Sequence, residues 1–199
     1  RAIEASDHAV KTGELGDAGY ARSAAAQAWW NIGKYQEAIA AHQEAVSLRR
    51  RAGSRTGEAY SLGKLAGLYR DSGDPLRALA YYDSAAVVYR AAGDQSGEAT
   101  LLKEQGDLYR TQVDYPRALA AYRQSLTITR RIGATAETGA ALYQVGDVHY
   151  FAERYDSATA AYTEARGRGR QHAFAADVPR HGRHDRRPRG RWRGANGGH

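Results

Sequence analysis

"LYRDSGDPLRALAYY" (residues 68–82) returns forty residues later as "LYRTQVDYPRALAAY" (residues 108–122), with nine of fifteen positions identical. A fixed separation of this kind marks a chain built from stacked copies of one supersecondary unit. Carried in both directions without gaps, the register aligns Ala38, Ala78, Ala118 and Ala158. It also aligns Trp29, Tyr69, Tyr109 and His149, and, in a third column, His42, Tyr82, Tyr122 and Tyr162. Gly13, Gly53, Gly93 and Gly133 form a glycine column, and Gly106 and Gly146 a partial one. Four units are present, and the first thirteen residues match the closing half of another, because Glu4, Ala5 and Gly13 align with Glu44, Ala45 and Gly53.

Within a unit the apolar spacing is helical. Leu62, Leu65, Leu68 and Tyr69 make one stripe, and Ala78, Leu79, Tyr82, Ala85 and Ala86 a second. Between them stands Gly73-Asp74-Pro75: a glycine free to take a left-handed cap, an aspartate able to accept orphan amides, and a proline where its missing N–H costs nothing. Asp114 and Pro116 repeat the arrangement. Each unit is therefore a helical hairpin. Helices are predicted over 2–12, 15–32, 35–52, 55–72, 75–92, 95–112, 115–132, 135–152 and 155–165. The class is all-α. A small residue at each seam lets backbones approach, and the tyrosine four positions on fills the adjoining space. One hairpin cannot bury both of its apolar faces alone, so the sequence repeats because the interface repeats.

Composition narrows the function classes. The chain has 199 residues, 42% hydrophobic, enough for a sizeable core. It has no cysteine, which excludes disulfides, thiolate metal sites and cysteine nucleophiles. No apolar run approaches the ~20 residues of a membrane span, so the expectation is a cytoplasmic protein with no membrane partner. It lacks methionine and opens on Arg1, as expected of a piece of something longer or of an incomplete reading frame. The net charge of +7 is unevenly placed: residues 166–199 hold ten arginines and two aspartates, a charge of +8, which leaves −1 for residues 1–165.

The repeats resemble the tetratricopeptide repeat in its long, forty-residue form, as in kinesin light chains and in sensor regions of bacterial regulators. Leu102, Gly106, Tyr109, Tyr115, Ala118, Tyr122 and Ser125 carry the resemblance, and Leu142, Gly146, Tyr155, Ala158, Tyr162 and Ala165 carry it again. With Ala38, Tyr69, Ala78 and Tyr82 these are packing positions, so the resemblance speaks for fold more than for function. It implies a right-handed α-solenoid over residues 1–165, with hairpins near 15–53, 54–93, 94–133 and 134–165 after the partial one at 1–13. It further implies that the first helix of each hairpin lines a concave face that holds a peptide or a partner helix. On that geometry the groove residues are Trp30, Arg70, Lys103, Asp107, Arg110, Tyr143, Asp147 and Tyr150. The row Trp30, Arg70, Arg110 and Tyr150 pairs bidentate donors with flat apolar anchors, the residue types that dominate binding hot spots. Against this, Arg70 and Arg110 are equally placed to pair with Asp71 or Asp107, and Trp30 to pack half-buried against Trp29 and the preceding helix. Relatives that clamp a terminal carboxylate carry lysine and asparagine where this chain has Ser23/Gln27, Gly63/Gly67, Lys103/Asp107 and Tyr143/Asp147. Only Lys103 fits.

Catalytic motifs fail on context. Ser61-Leu62-Gly63-Lys64 and Lys11-Thr12-Gly13 imitate penicillin-binding signatures in reversed order, and residues 57–64 imitate a phosphate loop without a preceding strand. His42 and His149 sit in core columns, and Glu98 and Glu104 read as scattered solvent-facing acids. The expectation is a non-catalytic scaffold with no cofactor and no metal. Two alternatives remain: the sensor or regulatory region of a larger bacterial regulator, or nucleic-acid binding through the basic tail. After Ala165 the register collapses into Arg166, Gly167, Arg168, Gly169 and Arg170, and two glycines with arginines on the packing stripe should end the helix about two turns early. Residues 166–199 read either as a disordered Arg-Gly arm that grips phosphates and stacks Trp192 on bases, or as translation out of frame.

Overall fold

A computed structural model describes residues 1–169. Among these the elements are α1 (Ala2–Thr12), α2 (Leu15–Asn31), α3 (Tyr35–Arg51), α4 (Arg55–Asp71), α5 (Pro75–Ala92), α6 (Gln95–Thr111), α7 (Tyr115–Arg131), α8 (Thr135–Phe151) and α9 (Tyr155–Gly169), with no strand. The tight pairs are α2 with α3, α4 with α5, α6 with α7 and α8 with α9, and each pair docks on the next. The result is an α-solenoid. No helix of the described residues is long and apolar enough to cross a membrane.

Local chemistry sets the hairpin turns. Asp74 caps α5 by accepting the Arg77 amide at 3.0 Å, and Asp114 caps α7 by accepting that of Arg117 at 3.1 Å. Gly33 and Gly73 end the first helices in the left-handed region, at φ 77° and 82°. The residues forty and eighty positions beyond Gly73, Val113 and Glu153, hold the same conformation at φ 62° and 58° without being glycine.

The seams are built from the alanine and tyrosine columns. Ala38, Ala78 and Ala118 are wholly buried and Ala158 nearly so, while Tyr82 and Tyr122 have no exposed surface at all. The ring of Tyr122 lies against Gly106, and that of Tyr162 against Gly146, each closer than a side chain on the glycine would permit.

One expectation is corrected at the far end. Helix α9 runs four residues past Ala165, to Gly169. Ala165 packs against Leu126, Ala141 and Leu142, and Glu164 meets Arg130 at 2.6 Å, so the helix is tied to α7 and α8 up to Ala165. Gly167 and Gly169 weaken the helix by ~1 kcal/mol each without ending it, and no proline stands at 166–169. The readings of residues 170–199, as an arm or as an out-of-frame segment, lie outside the described residues.

Candidate partner-binding groove

Helices α2, α4, α6 and α8 place the groove candidates on successive copies of one face, and the second helices reach between them with hydroxyl groups. Tyr122, on α7, donates its hydroxyl to Asp107 Oδ1 of α6 at 2.7 Å. Tyr162, on α9, does the same to Asp147 Oδ1 of α8, also at 2.7 Å. The two bonds are related by the repeat. Each orients one carboxylate oxygen, and Lys103 Nζ stands 3.9 Å from the other oxygen of Asp107, Oδ2.

Arg110 also interacts with the Tyr122 hydroxyl and feels both Asp107 and Asp147, yet its Nε is buried without a hydrogen-bond partner among the described residues. Burial pushes the Asp147 carboxyl up, opposed by the Tyr162 hydroxyl and by Arg110. Burial and the bond to Asp107 push the Tyr122 hydroxyl up, which keeps it a donor at any ordinary pH.

One hairpin earlier the arrangement changes, because Gly67 stands where the next units have aspartate. The Trp30 ring fills that space, with its Cη2 2.8 Å from where a Cβ on Gly67 would be. Its indole Nε1 donates to Asp71 Oδ2 at 3.1 Å. Trp30 is thus half-buried against α4 of the following hairpin, because the missing side chain at Gly67 opens a seat there. Arg70 Nε donates to Asp71 Oδ1 at 2.8 Å, and Arg70 Nη1 lies 3.5 Å from the Tyr82 hydroxyl. The predicted row therefore divides: Trp30 and Arg70 share Asp71, Arg110 sits within the tyrosine–aspartate ladder, and Tyr150 is 39% exposed and packs edge-on to Phe151 and Tyr155. Tyr143 stacks at a tilt on Tyr162, with centroids 5.1 Å apart.

Glu104 corrects a second expectation. It is half-buried among these groups and not solvent-facing, and burial raises its pKa against the pull of Lys64, Arg70 and Lys103. Its helical register puts it one step from Lys103, so periodicity alone placed it on the wrong side. Glu98 is likewise not solvent-facing: its side chain is 15% exposed and pairs with Arg90 at 2.6 Å. His42 is 1% exposed with neither ring nitrogen hydrogen-bonded, and no group of histidines and carboxylates among the described residues is arranged to hold a metal.

A family model for the tetratricopeptide repeat matches residues 18–91, 55–131 and 97–171. The chain belongs to the tetratricopeptide-repeat family. A search of curated proteins finds no significant match. Among solved structures, BtubC (BKLC) from P. vanneervenii superposes with a TM-score of 0.71 at 18% identity, covering 83% of this chain and 68% of that one. Aspartyl phosphate phosphatase F from Bacillus subtilis gives 0.75 at 10% identity, covering 80% of this chain and 42% of its own. A Rap protein complexed with competence and sporulation factor gives 0.66 at 14%, covering 85% and 53%. At these identities the likeness is one of fold.

Proposed function

We propose that this tetratricopeptide-repeat chain is a non-catalytic interaction scaffold that binds a peptide or a partner helix along the face of α2, α4, α6 and α8. The repeated bonds from Tyr122 to Asp107 and from Tyr162 to Asp147 carry the reading. They order polar groups on a partly exposed face before any partner arrives, which lowers the entropic cost of binding. The fold supports it too, since a Rap protein solved in complex with competence and sporulation factor shares it. A second reading, the regulatory region of a longer signalling protein, draws on the share of the neighbours that the chain spans, 42% of the phosphatase and 53% of the Rap protein.

The test begins with a random peptide library displayed on phage and selected against the whole chain. Selected peptides should bind with an affinity that falls at least about tenfold in the Arg70→Ala, Arg110→Ala double variant, with the melting temperature little changed. Equal affinity for parent and double variant removes the groove.

A further inference from the structure

The three seams between hairpins differ at one seat. Where α3 meets α4, Arg49 crosses to the first turn of α4, and its Cδ lies 2.9 Å from where a Cβ on Gly57 would stand. Its Nη1 donates to the Gly57 carbonyl and to Ser61 Oγ, both at 2.8 Å. Forty residues on, where α5 meets α6, the ring of Tyr89 lies over Gly97 in the same way and is itself buried. Forty further, the pair is Thr129 and Glu137. Thr129 is too short to cross. The seat stays unfilled, as a surface cleft of about 60 Å³ whose buried wall is Ala99, Ser125 and Thr129 and whose open side carries the exposed Ser96, Thr100 and Ala140, beside Lys103 and Glu137.

The chemistry of the walls selects the guest. Ser125 Oγ donates to the Ala99 carbonyl at 2.7 Å, Thr129 Oγ1 to that of Leu126 at 3.1 Å, and Thr100 Oγ1 to that of Ser96 at 3.1 Å. These three hydroxyl protons are committed to backbone oxygens, and the lining of the cleft is mostly apolar. Water needs two to four polar partners and this lining offers few, so the cleft favours a small aliphatic group over ordered water. Beside it, Glu137 is exposed and makes no ion pair among the described residues, while Lys103 already faces Asp107.

We infer that the empty seat between α7 and α8 takes a valine-sized aliphatic side chain of a protein partner lying along the first-helix face, with a lysine or arginine of that partner beside Glu137. The inference rests on the groove reading proposed above and assigns its specificity to one place. Lys103, one of the groove residues, links the seat to that face, and Thr100 and Ala140 lie on the first helices α6 and α8 that make it.

Three measurements test it. In the Thr129→Tyr, Glu137→Gly variant the arrangement of Tyr89 and Gly97 is rebuilt, which closes the seat with a solution the fold already uses; Ala140→Leu narrows it from the opposite wall. Peptides from the phage selection should share a valine with a lysine or arginine within two positions, and both variants should weaken them about tenfold or more. The third measurement needs no variant: xenon dissolved with the parent chain should shift the methyl resonances of Thr129, Ile132 and Ala140. Peptides that depend on Arg70 and Arg110 yet bind the filled variants as well as the parent would overturn the seat and leave the groove standing. A library that yields no binder overturns both. An absent xenon response overturns the dry cavity whatever the variants do.

Discussion

Replacing Gly106 by alanine pits helix propensity against a single contact. Alanine in a helix interior gains ~1 kcal/mol over glycine. Its methyl group, however, would stand 2.6 Å from Tyr122 Cε1, 2.7 Å from Cδ1 and 3.0 Å from Cζ. Carbon atoms settle at ~3.5–4.0 Å, so the ring has to withdraw by about 1 Å. It has no room to do so, because Tyr122 is wholly buried and its hydroxyl is fixed on Asp107 at 2.7 Å. Overpacking costs about 1–3 kcal/mol and a displaced bond to a carboxylate about 1.5–3 kcal/mol. The clash therefore wins, and Gly106→Ala should destabilise the chain by about 2–4 kcal/mol net of the propensity gain. Gly139, two hairpin helices later, is the control: its nearest neighbour is the Ala165 carbonyl at 3.9 Å, so Gly139→Ala should gain about 0.5–1 kcal/mol. Urea unfolding followed by circular dichroism reads both, with a common slope m. Gly106→Ala at parental stability or above would show that the tyrosine ring does not sit on that backbone.

Two further outcomes are expected. Val113 holds φ 62° while 65% exposed, so Val113→Gly relieves a β-branched residue from the left-handed region with little burial lost and should raise stability by about 1 kcal/mol in the same urea assay; a lower midpoint would contradict it. For His42, burial first and then Arg49 and Lys64 hold the imidazole's pKa down to about 4, from an ordinary 6.5. Between those values the unfolded chain binds a proton that the folded chain refuses, so stability falls as pH drops through the window, by about 3 kcal/mol at its lower end. His42→Phe should remove that component, and parallel stability–pH curves for parent and variant between about pH 6.5 and 4 would refute it.

Much of the architecture was legible because it is local or periodic. Caps such as Asp74 and Asp114 act within one turn, and a repeated interface writes the same small residue and the same tyrosine at a constant offset. Those signals place nine helices to within a residue at most ends and name the seams. They fail at α9, which runs on through Gly167 to Gly169. They also fail at Glu104, where a side chain one step off the expected stripe is half-buried near Lys64, Arg70 and Lys103.

The groove shows where the two levels part. Which residues share the first-helix face follows from the period alone, since stacked copies present aligned positions to the same side. What those residues do there depends on contacts between unaligned positions, such as Trp30 on Gly67, Tyr122 on Gly106 and Asp107, and Arg49 or Tyr89 on the glycine eight residues later. A repeat register carries no information about such pairs until helices take their places, because the distance between them is set by how two backbones dock. The vacancy at Thr129 is the clearest case. In sequence it is an ordinary threonine, and only the packed seam makes it an empty seat.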